Sequence, residues 1–263
     1  LALTEFIDLY SKRPIKDNSG GMKFNHCFAA WFIAKQLSPK FIIESGVWYG
    51  QSTWLFENAC PSAKIFCLDL NFSRLIYKSK TATYIQQDFS TIDWSDIDPN
   101  QTLCFFDDHQ NAYQRLKDVK WIGIKDVIFD DNYPAGQGDV YSLRKMLEGA
   151  GHTEIVLPRK YELNPIYGLL KFIITFMAKY FFKTNQHLLI SPNSSDRENF
   201  LRQIQCYYDF PPVYLEKKKI IKNNISNKND NPIPLINSLS SINRLEDVFD
   251  NDDYYHIAYV KLN

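Results

Sequence analysis

Phe41-Ile42-Ile43-Glu44-Ser45-Gly46-Val47-Trp48-Tyr49-Gly50-Gln51-Ser52-Thr53 is the stretch on which the fold turns. Its first three residues are apolar without alternation, the pattern of a strand buried on both faces. An acid ends the run, and Gly46 and Gly50 follow four residues apart before a helical segment over residues 52–58. Glycine allows a sharp turn and close approach to the main chain, and a helix N-terminus presents free amide donors. A strand, a glycine loop and a helix in this order make a ligand-binding corner.

Working outward, the same grammar recurs. Ile65-Phe66-Cys67-Leu68-Asp69, Leu103-Cys104-Phe105-Phe106-Asp107 and Val127-Ile128-Phe129-Asp130 are apolar runs ending in acids, and a weaker run, Thr83-Tyr84-Ile85, precedes Asp88. Helical segments are expected at 25–36, 111–119 and 139–147, the last stopped by Gly149 and Gly151. Strands alternating with helices predict an α/β fold, a Rossmann-like, mostly parallel sheet with helices on both faces. Right-handed crossovers then gather the strand-terminal acids along one edge. Residues 1–157 are expected to form this core. Residues 158–253 read as a helical or irregular insertion, and 254–263 as a closing antiparallel strand of the core.

The chain has 263 residues, and thirty basic side chains balance thirty acidic ones. With 45% hydrophobic and 23% charged residues, this is the composition of a soluble, folded chain, and no global field draws it to nucleic acid or an anionic membrane. Five scattered cysteines without C-x-x-C spacing read as reduced thiols, arguing for a cytoplasmic setting and against structural zinc. Residues 1–10 lack the pattern of a signal peptide. The most apolar stretch, 167–182, is interrupted by Lys171 and Lys179 and is short for a membrane span. With Lys183 it reads as an amphipathic helix, for which three uses rank in order: cover for an acceptor pocket, a homo-oligomer interface, and a membrane-surface contact. A helix is expected over 197–206, and 223–231 reads as a solvated loop.

The spacing E-x-G-x-x-x-G departs from the dinucleotide G-x-G-x-x-G, because an acid occupies the place of the first glycine. That acid would repel a pyrophosphate and suits a ligand bearing a positive or amino group. Twenty-five residues after Glu44, Asp69 stands where a carboxylate accepts the hydroxyl protons of a ribose. A nucleoside without phosphates that carries a positive group is S-adenosyl-L-methionine. Bland readings stand beside these. Asp88 is equally readable as a helix N-cap, Phe89 and Trp94 as core aromatics, Trp48 and Tyr49 as packing against a helix, and His26 as a buried, satisfied histidine.

With these residues in view, about half of the chain, residues 20–147, resembles the class I S-adenosylmethionine-dependent methyltransferases. More narrowly it is similar to metal-dependent O-methyltransferases of the catechol type and to the macrocin and cephalosporin-hydroxylase-like groups. The resemblance rests on Ile43 to Gly46 with Gly50-Gln51-Ser52, on Asp69, on Gln87-Asp88-Phe89, on Asp107-Asp108-His109, and on Phe129-Asp130-Asp131-Asn132. It implies that Glu44, Gly46, Tyr49, Gly50, Ser52, Asp69, Asp88, Phe89 and Asp107 contact the cofactor. It also implies that residues 17–23 form a lid hinged at Gly20-Gly21, beside which an ordinary N-terminal loop stands as an equal reading.

Methyl transfer to a hydroxyl needs a base or a cation to make the oxygen nucleophilic. Hard oxygen donors at adjacent strand ends suit Mg2+ or a similar ion. Two ligand registers fit the resemblance: Asp107, Asp130 and Asp131, preferred on strand geometry, or Asp108, Asp131 and Asn132. Catechol-type enzymes carry a lysine base after the Asp-His pair, whereas Gln110 and Asn111 stand here. His109 becomes the candidate base, with Asp108 next and Asp107 beside them. The expected function is O-methylation of a small-molecule acceptor bearing a hydroxyl, with saccharides as the candidate class. A nicotinamide- or nucleotide-sugar-binding oxidoreductase and a non-catalytic binding module are the alternatives.

Overall fold

The computed structural model describes residues 1–135, 137–138, 140–150, 194–215, 232–250 and 255–263. Seven strands form one sheet in the order β3 (Thr83–Ile85), β2 (Lys64–Leu68), β1 (Phe41–Ser45), β4 (Thr102–Phe106), β5 (Asp126–Phe129), β7 (Ala258–Leu262), β6 (Ile204–Asp209). The pairs from β3 to β5 are parallel. β7 runs antiparallel to both β5 and β6, so among the described residues it is the single reversed strand in the sheet. The chain leaves β1 toward β2 in one direction and returns to build β4 on its other side. The strand order therefore switches between β1 and β4, where an open parallel sheet binds its ligand.

The unbroken apolar runs are explained by two cores, one on each face. Ile42, Leu103, Phe105 and Ile128 enter the first, while Ile43, Cys104, Phe106, Val127 and Phe129 enter the second. Successive residues of a strand point to opposite faces, so a strand covered on both sides has no polar position to offer.

The first core is closed by α1 (Ala2–Tyr10), α2 (Phe24–Leu37) and α3 (Gln51–Ala59). The Phe6 ring meets Phe24 edge-on at 5.2 Å and Phe28 at 5.3 Å, which docks α1 on α2. α2 is buried along most of its length, from Phe24 to Ala34, and stops at Ser38, whose φ of 47° breaks the helix. The second core is closed by α4 (Ala112–Ile122) and α5 (Leu143–Leu147). Asn111 caps α4 by accepting from the Gln114 N–H, Gly123 ends it with φ 90°, and Ser142 caps α5.

The expected strands and their mostly parallel order are present. The helix expected over 197–206 ends at Gln203, and the chain turns into β6. Ile204, Tyr207 and Tyr208 are strong strand formers, and β7 offers them a ladder. β6 thus joins the sheet from within the stretch read as an insertion. The closing strand begins at Ala258, with residue 254 outside the described residues, and the short helix α1 had no sequence expectation. The amphipathic helix expected over 167–182 and the loop at 223–231 lie outside the described residues. Among the described residues, no helix is long and apolar enough to cross a membrane. Cys27, Cys60, Cys67 and Cys104 are buried free thiols, and Cys206 is an exposed one.

Candidate functional site

The glycine corner is built tightly. Both Gly46 and Gly50 have φ near 90°, and a Cβ on either would overlap protein backbone: the Asp107 carbonyl at Gly46, the Tyr77 carbonyl at Gly50. The two glycines therefore admit neighbouring chain rather than open space. Gly46 in particular locks the β1 loop against the β4 loop.

Glu44 turns inward. It is fully buried and accepts from Thr53 Oγ1 at 2.6 Å, from Ser52 Oγ and from the Cys67 thiol at 3.3 Å. Burial raises its pKa to about 7 against the lowering effect of those donors. The acid read as an electrostatic lure for a cationic ligand instead pins the first turn of α3 to β1, and Ser52 is spent on the same contact.

Asp69, just past β2, lies under the loop. Its Oδ2 accepts from the Val47 and Trp48 amides at 3.1 and 3.4 Å, and Oδ1 from Asn71 N at 2.9 Å. Each carboxylate oxygen carries two acceptor sites, so Oδ1 keeps capacity for a ligand hydroxyl. Trp48 and Tyr49 stack on each other at 4.9 Å, and Arg74 covers Trp48. Asp88 caps the turn at Phe89–Thr91 and is clamped by two Arg115 nitrogens at 3.1 and 2.6 Å. Burial works against ionisation there, but Arg115 and Ser90 outweigh it and hold the carboxyl well below the usual range. Phe89 has no exposed surface and packs on Trp94 and Phe106, as core.

At the β4–β5 edge four acids meet. Asp108 is held by Arg115 Nε at 2.9 Å and by Ser45 Oγ at 2.7 Å, which occupies the carboxylate considered as a second base. Asp130 faces His26 Nδ1 at 2.5 Å, both side chains almost wholly buried. Asn132 is buried and joins Tyr207, Asp209 and the Arg144 amide. Asp107, His109 and Asp131 are brought together: one donor atom from each lies within 4.8 Å of the others. This trio corresponds to neither expected register, since His109 stands where Asp130 was expected. His109 Nδ1 is 3.5 Å from Asp131, and its side chain is 56% exposed. Burial first, then Asp130, Asp131 and Asp108, drive the Asp107 pKa well up, so a proton or a cation is favoured there. Trp48 and His109 hold left-handed φ of 49° and 52°, two of four such non-glycine residues among those described, and both sit in the edge loops.

Asp107 also lines a cleft of about 200 Å³ with Asn18, Gly21, Trp48, Gln51 and Ser52. The cleft joins the glycine corner to the acidic edge. Sequence reasoning missed Arg115 and gave no individual role to Asn18, within the expected lid, or to Gln51, within the glycine motif. Gln51 was marked only by its place directly after Gly50, and Arg115 had no distinguishing signal on a polar helix.

No protein-family model matches the chain, and no curated protein does. Among solved structures the chain is similar to CmcI with Mg and SAM, at 21% identity and TM-score 0.35 over 45% of this chain and 58% of that one. It is also similar to the O-methyltransferase TomG from Streptomyces achromogenes in complex with SAM, at 13% identity and TM-score 0.37 over 49% and 64%. A third is SAH-bound PaMTH1 from Podospora anserina, at 14% identity and TM-score 0.37 over 70% and 80%. The chain thus spans little more than half the length of the first. What it does has to be argued from its own side chains.

Proposed function

We propose that the chain is an S-adenosylmethionine-dependent O-methyltransferase that acts on a small hydroxylated acceptor, a saccharide being the candidate class, with a divalent cation at the acceptor side. The observation that carries this reading is the cleft that Asp107 lines together with the glycine corner at the switch point of the sheet.

The residues suit such a cofactor. Asp69 keeps acceptor capacity at the end of β2, and the buried amide of Gln51 has no hydrogen-bond partner among the described residues. Asp107, His109 and Asp131 suit a divalent ion, with two hard oxygens and one imidazole converging from two loops. When bound, the sulfonium supplies the methyl group and the cation Lewis acidity at the acceptor oxygen. The chain's own part is alignment. Arg115 and Ser45 fix Asp108, His26 fixes Asp130, and the adjoining Asp107 and Asp131 are thereby aimed into one space. In this reading His109 completes the cation group rather than serving as the base.

A thermal-shift series with S-adenosylhomocysteine, NAD and no ligand tests it. A ligand at a hundred times its dissociation constant adds about 2.7 kcal/mol. Stabilisation by S-adenosylhomocysteine alone is expected, and no shift at saturating concentration would sink the reading. For the cation, Asp107→Ala should lower methyl transfer about 100-fold or more and abolish Mg2+ binding by calorimetry. Unchanged turnover and chelator sensitivity would remove the metal from the proposal.

A further inference from the structure

The eighteen residues from Leu70 to Gln87 hold Arg74, Lys78 and Lys80 and no acidic side chain. Two large apolar side chains of the same stretch stand in solvent, Leu70 at 68% exposed and Ile76 at 64%. A lone exposed leucine or isoleucine is ordinary. Two of them in one loop whose charges are all positive form an amphipathic surface.

The loop is built to hold them out. Phe72, Leu75 and Tyr77 turn inward against the first core, and Phe72 meets Tyr84 edge-on at 5.4 Å. The Tyr49 carbonyl accepts from the Ile76 and Tyr77 N–H groups at 3.0 and 2.9 Å. Asn71 Oδ1 accepts from the Ser73 N–H at 2.8 Å, and Gln86 Nε2 donates to the Leu70 carbonyl at 3.0 Å. The backbone is thus fixed at Leu70 and at Ile76 themselves, so their exposure belongs to the fold and not to a frayed end.

The cations are left facing outward. Arg74 lies over the Trp48 ring at 4.7 Å and Lys78 over Tyr84 at 5.5 Å, and among the described residues none of the three is in ion-pair contact with a carboxylate. The two acids beneath the loop are turned onto neutral donors. Glu57 accepts from Tyr77 at 2.6 Å, from Thr81 at 2.9 Å and from Ser79, and Asp69 accepts from main-chain amides.

This chemistry selects an occupant. Two aliphatic tips ringed by long-stemmed cations fit a layer that is anionic at its surface and hydrocarbon below it. The stems let the charges stay at headgroup depth while Leu70 and Ile76 go deeper. A nucleic acid has no use for the two aliphatic tips, and a second copy of the same loop would bring like charges together. We propose that residues 70–80 dock the chain on an anionic lipid bilayer. The proposal stands apart from the cofactor reading, but it bears on the acceptor. The loop leaves the end of β2 beside Asp69, so docking turns the ligand-binding edge of the sheet toward the bilayer, where a membrane-borne acceptor would be presented.

Cosedimentation of the full chain with vesicles tests it. The wild-type chain should bind an equal mixture of phosphatidylglycerol and phosphatidylcholine, should not bind phosphatidylcholine alone, and should lose binding as NaCl rises from about 0.05 to 0.3 M. Lys78→Glu with Lys80→Glu, and separately Leu70→Ser with Ile76→Ser, should each weaken vesicle binding about 10-fold or more without lowering Tm, since all four side chains are exposed. Ile76→Trp should bind at least as well as wild type and show a blue-shifted emission with the mixed vesicles. Trp121, 93% exposed at the end of α4 on the opposite edge, is the control, and Trp121→Ala should change nothing. No binding to the mixed vesicles, equal binding to both kinds, or equal losses from Trp121→Ala and the loop variants overturns the proposal. Binding to heparin in place of vesicles, insensitive to the serine variants, marks a general polyanion site and also overturns it. Self-association that the serine variants abolish, without vesicle binding, replaces it with an interface between copies.

Discussion

The two halves of the strand edge use their acids differently. At the β1–β2 half, both carboxylates are answered by uncharged donors. Glu44 takes two hydroxyls and a thiol, and Asp69 takes three main-chain amides. At the β4–β5 half, charge answers charge for one acid, Asp108 with Arg115, and a histidine stands against Asp130. Asp107 is left crowded by other carboxylates. The first half therefore shapes a corner, and the second concentrates negative potential. An acid at a strand end is no evidence of a ligand until its donors are counted.

The comparison can be broken most sharply at Arg115. This side chain is 5% exposed and binds both Asp88 and Asp108, so it joins the loop after β3 to the loop after β4. Arg115→Ala strands the largely buried Asp108 and releases the half-buried Asp88, and the broken buried pair should destabilise the chain by about 3–5 kcal/mol in urea unfolding. Pairing it with Asp108→Asn should recover part of the loss. A cost below about 1 kcal/mol would show that the acids of this half do not depend on charge neutralisation.

Glu44 tests the other half through pH. Its folded pKa of about 7 lies above the ordinary 4.5, so the folded state holds a proton the unfolded chain releases. The stabilisation is full below pH 4.5 and is lost as pH rises through 7. Glu44→Gln should remove that dependence, so that the stability gap between variant and wild type shifts in the variant's favour by an amount on the order of 3 kcal/mol between pH 4.5 and 8. A gap that is flat with pH would mean Glu44 is ionised throughout. The smallest effect is expected at Asp69. Asp69→Ala should weaken S-adenosylhomocysteine by about 1.5–3 kcal/mol in calorimetry, and full affinity would show that Asp69 only holds the loop.

β1, β2, β4 and β5 were legible because their central residues are largely buried on both faces, a property that survives in sequence as an unbroken apolar run, whereas the edge strand β3, with one exposed and two half-buried residues, survives only as the weaker run Thr83-Tyr84-Ile85. β6 was not, because its residues are half exposed and exposed, and Ile204-Gln205-Cys206 continues a helical pattern as easily as it starts a strand. At the site, the positions of Asp69, Asp107 and Asp131 were readable from strand ends. The roles of Glu44, Asp108 and Asp130 were not, since each depends on a partner distant in sequence. Ser52 and Thr53 answer Glu44 from eight and nine residues on, Arg115 answers Asp108, and His26 faces Asp130 from 104 residues away. Strand geometry is local, whereas the satisfaction of a carboxylate is not.

The placement of β7 bears on how the chain is made. It lies between β5 and β6, pairing with both, yet it is synthesised after either. Until residues 258–262 have left the ribosome, β5 has an open flank and the tyrosine-bearing β6 has no neighbour in the sheet. A nascent chain in that state carries two unpaired backbone edges that could capture another copy of itself. Completion of this sheet is therefore a late event, and a chain that stalls before Ala258 should be a client for chaperones rather than a smaller folded protein.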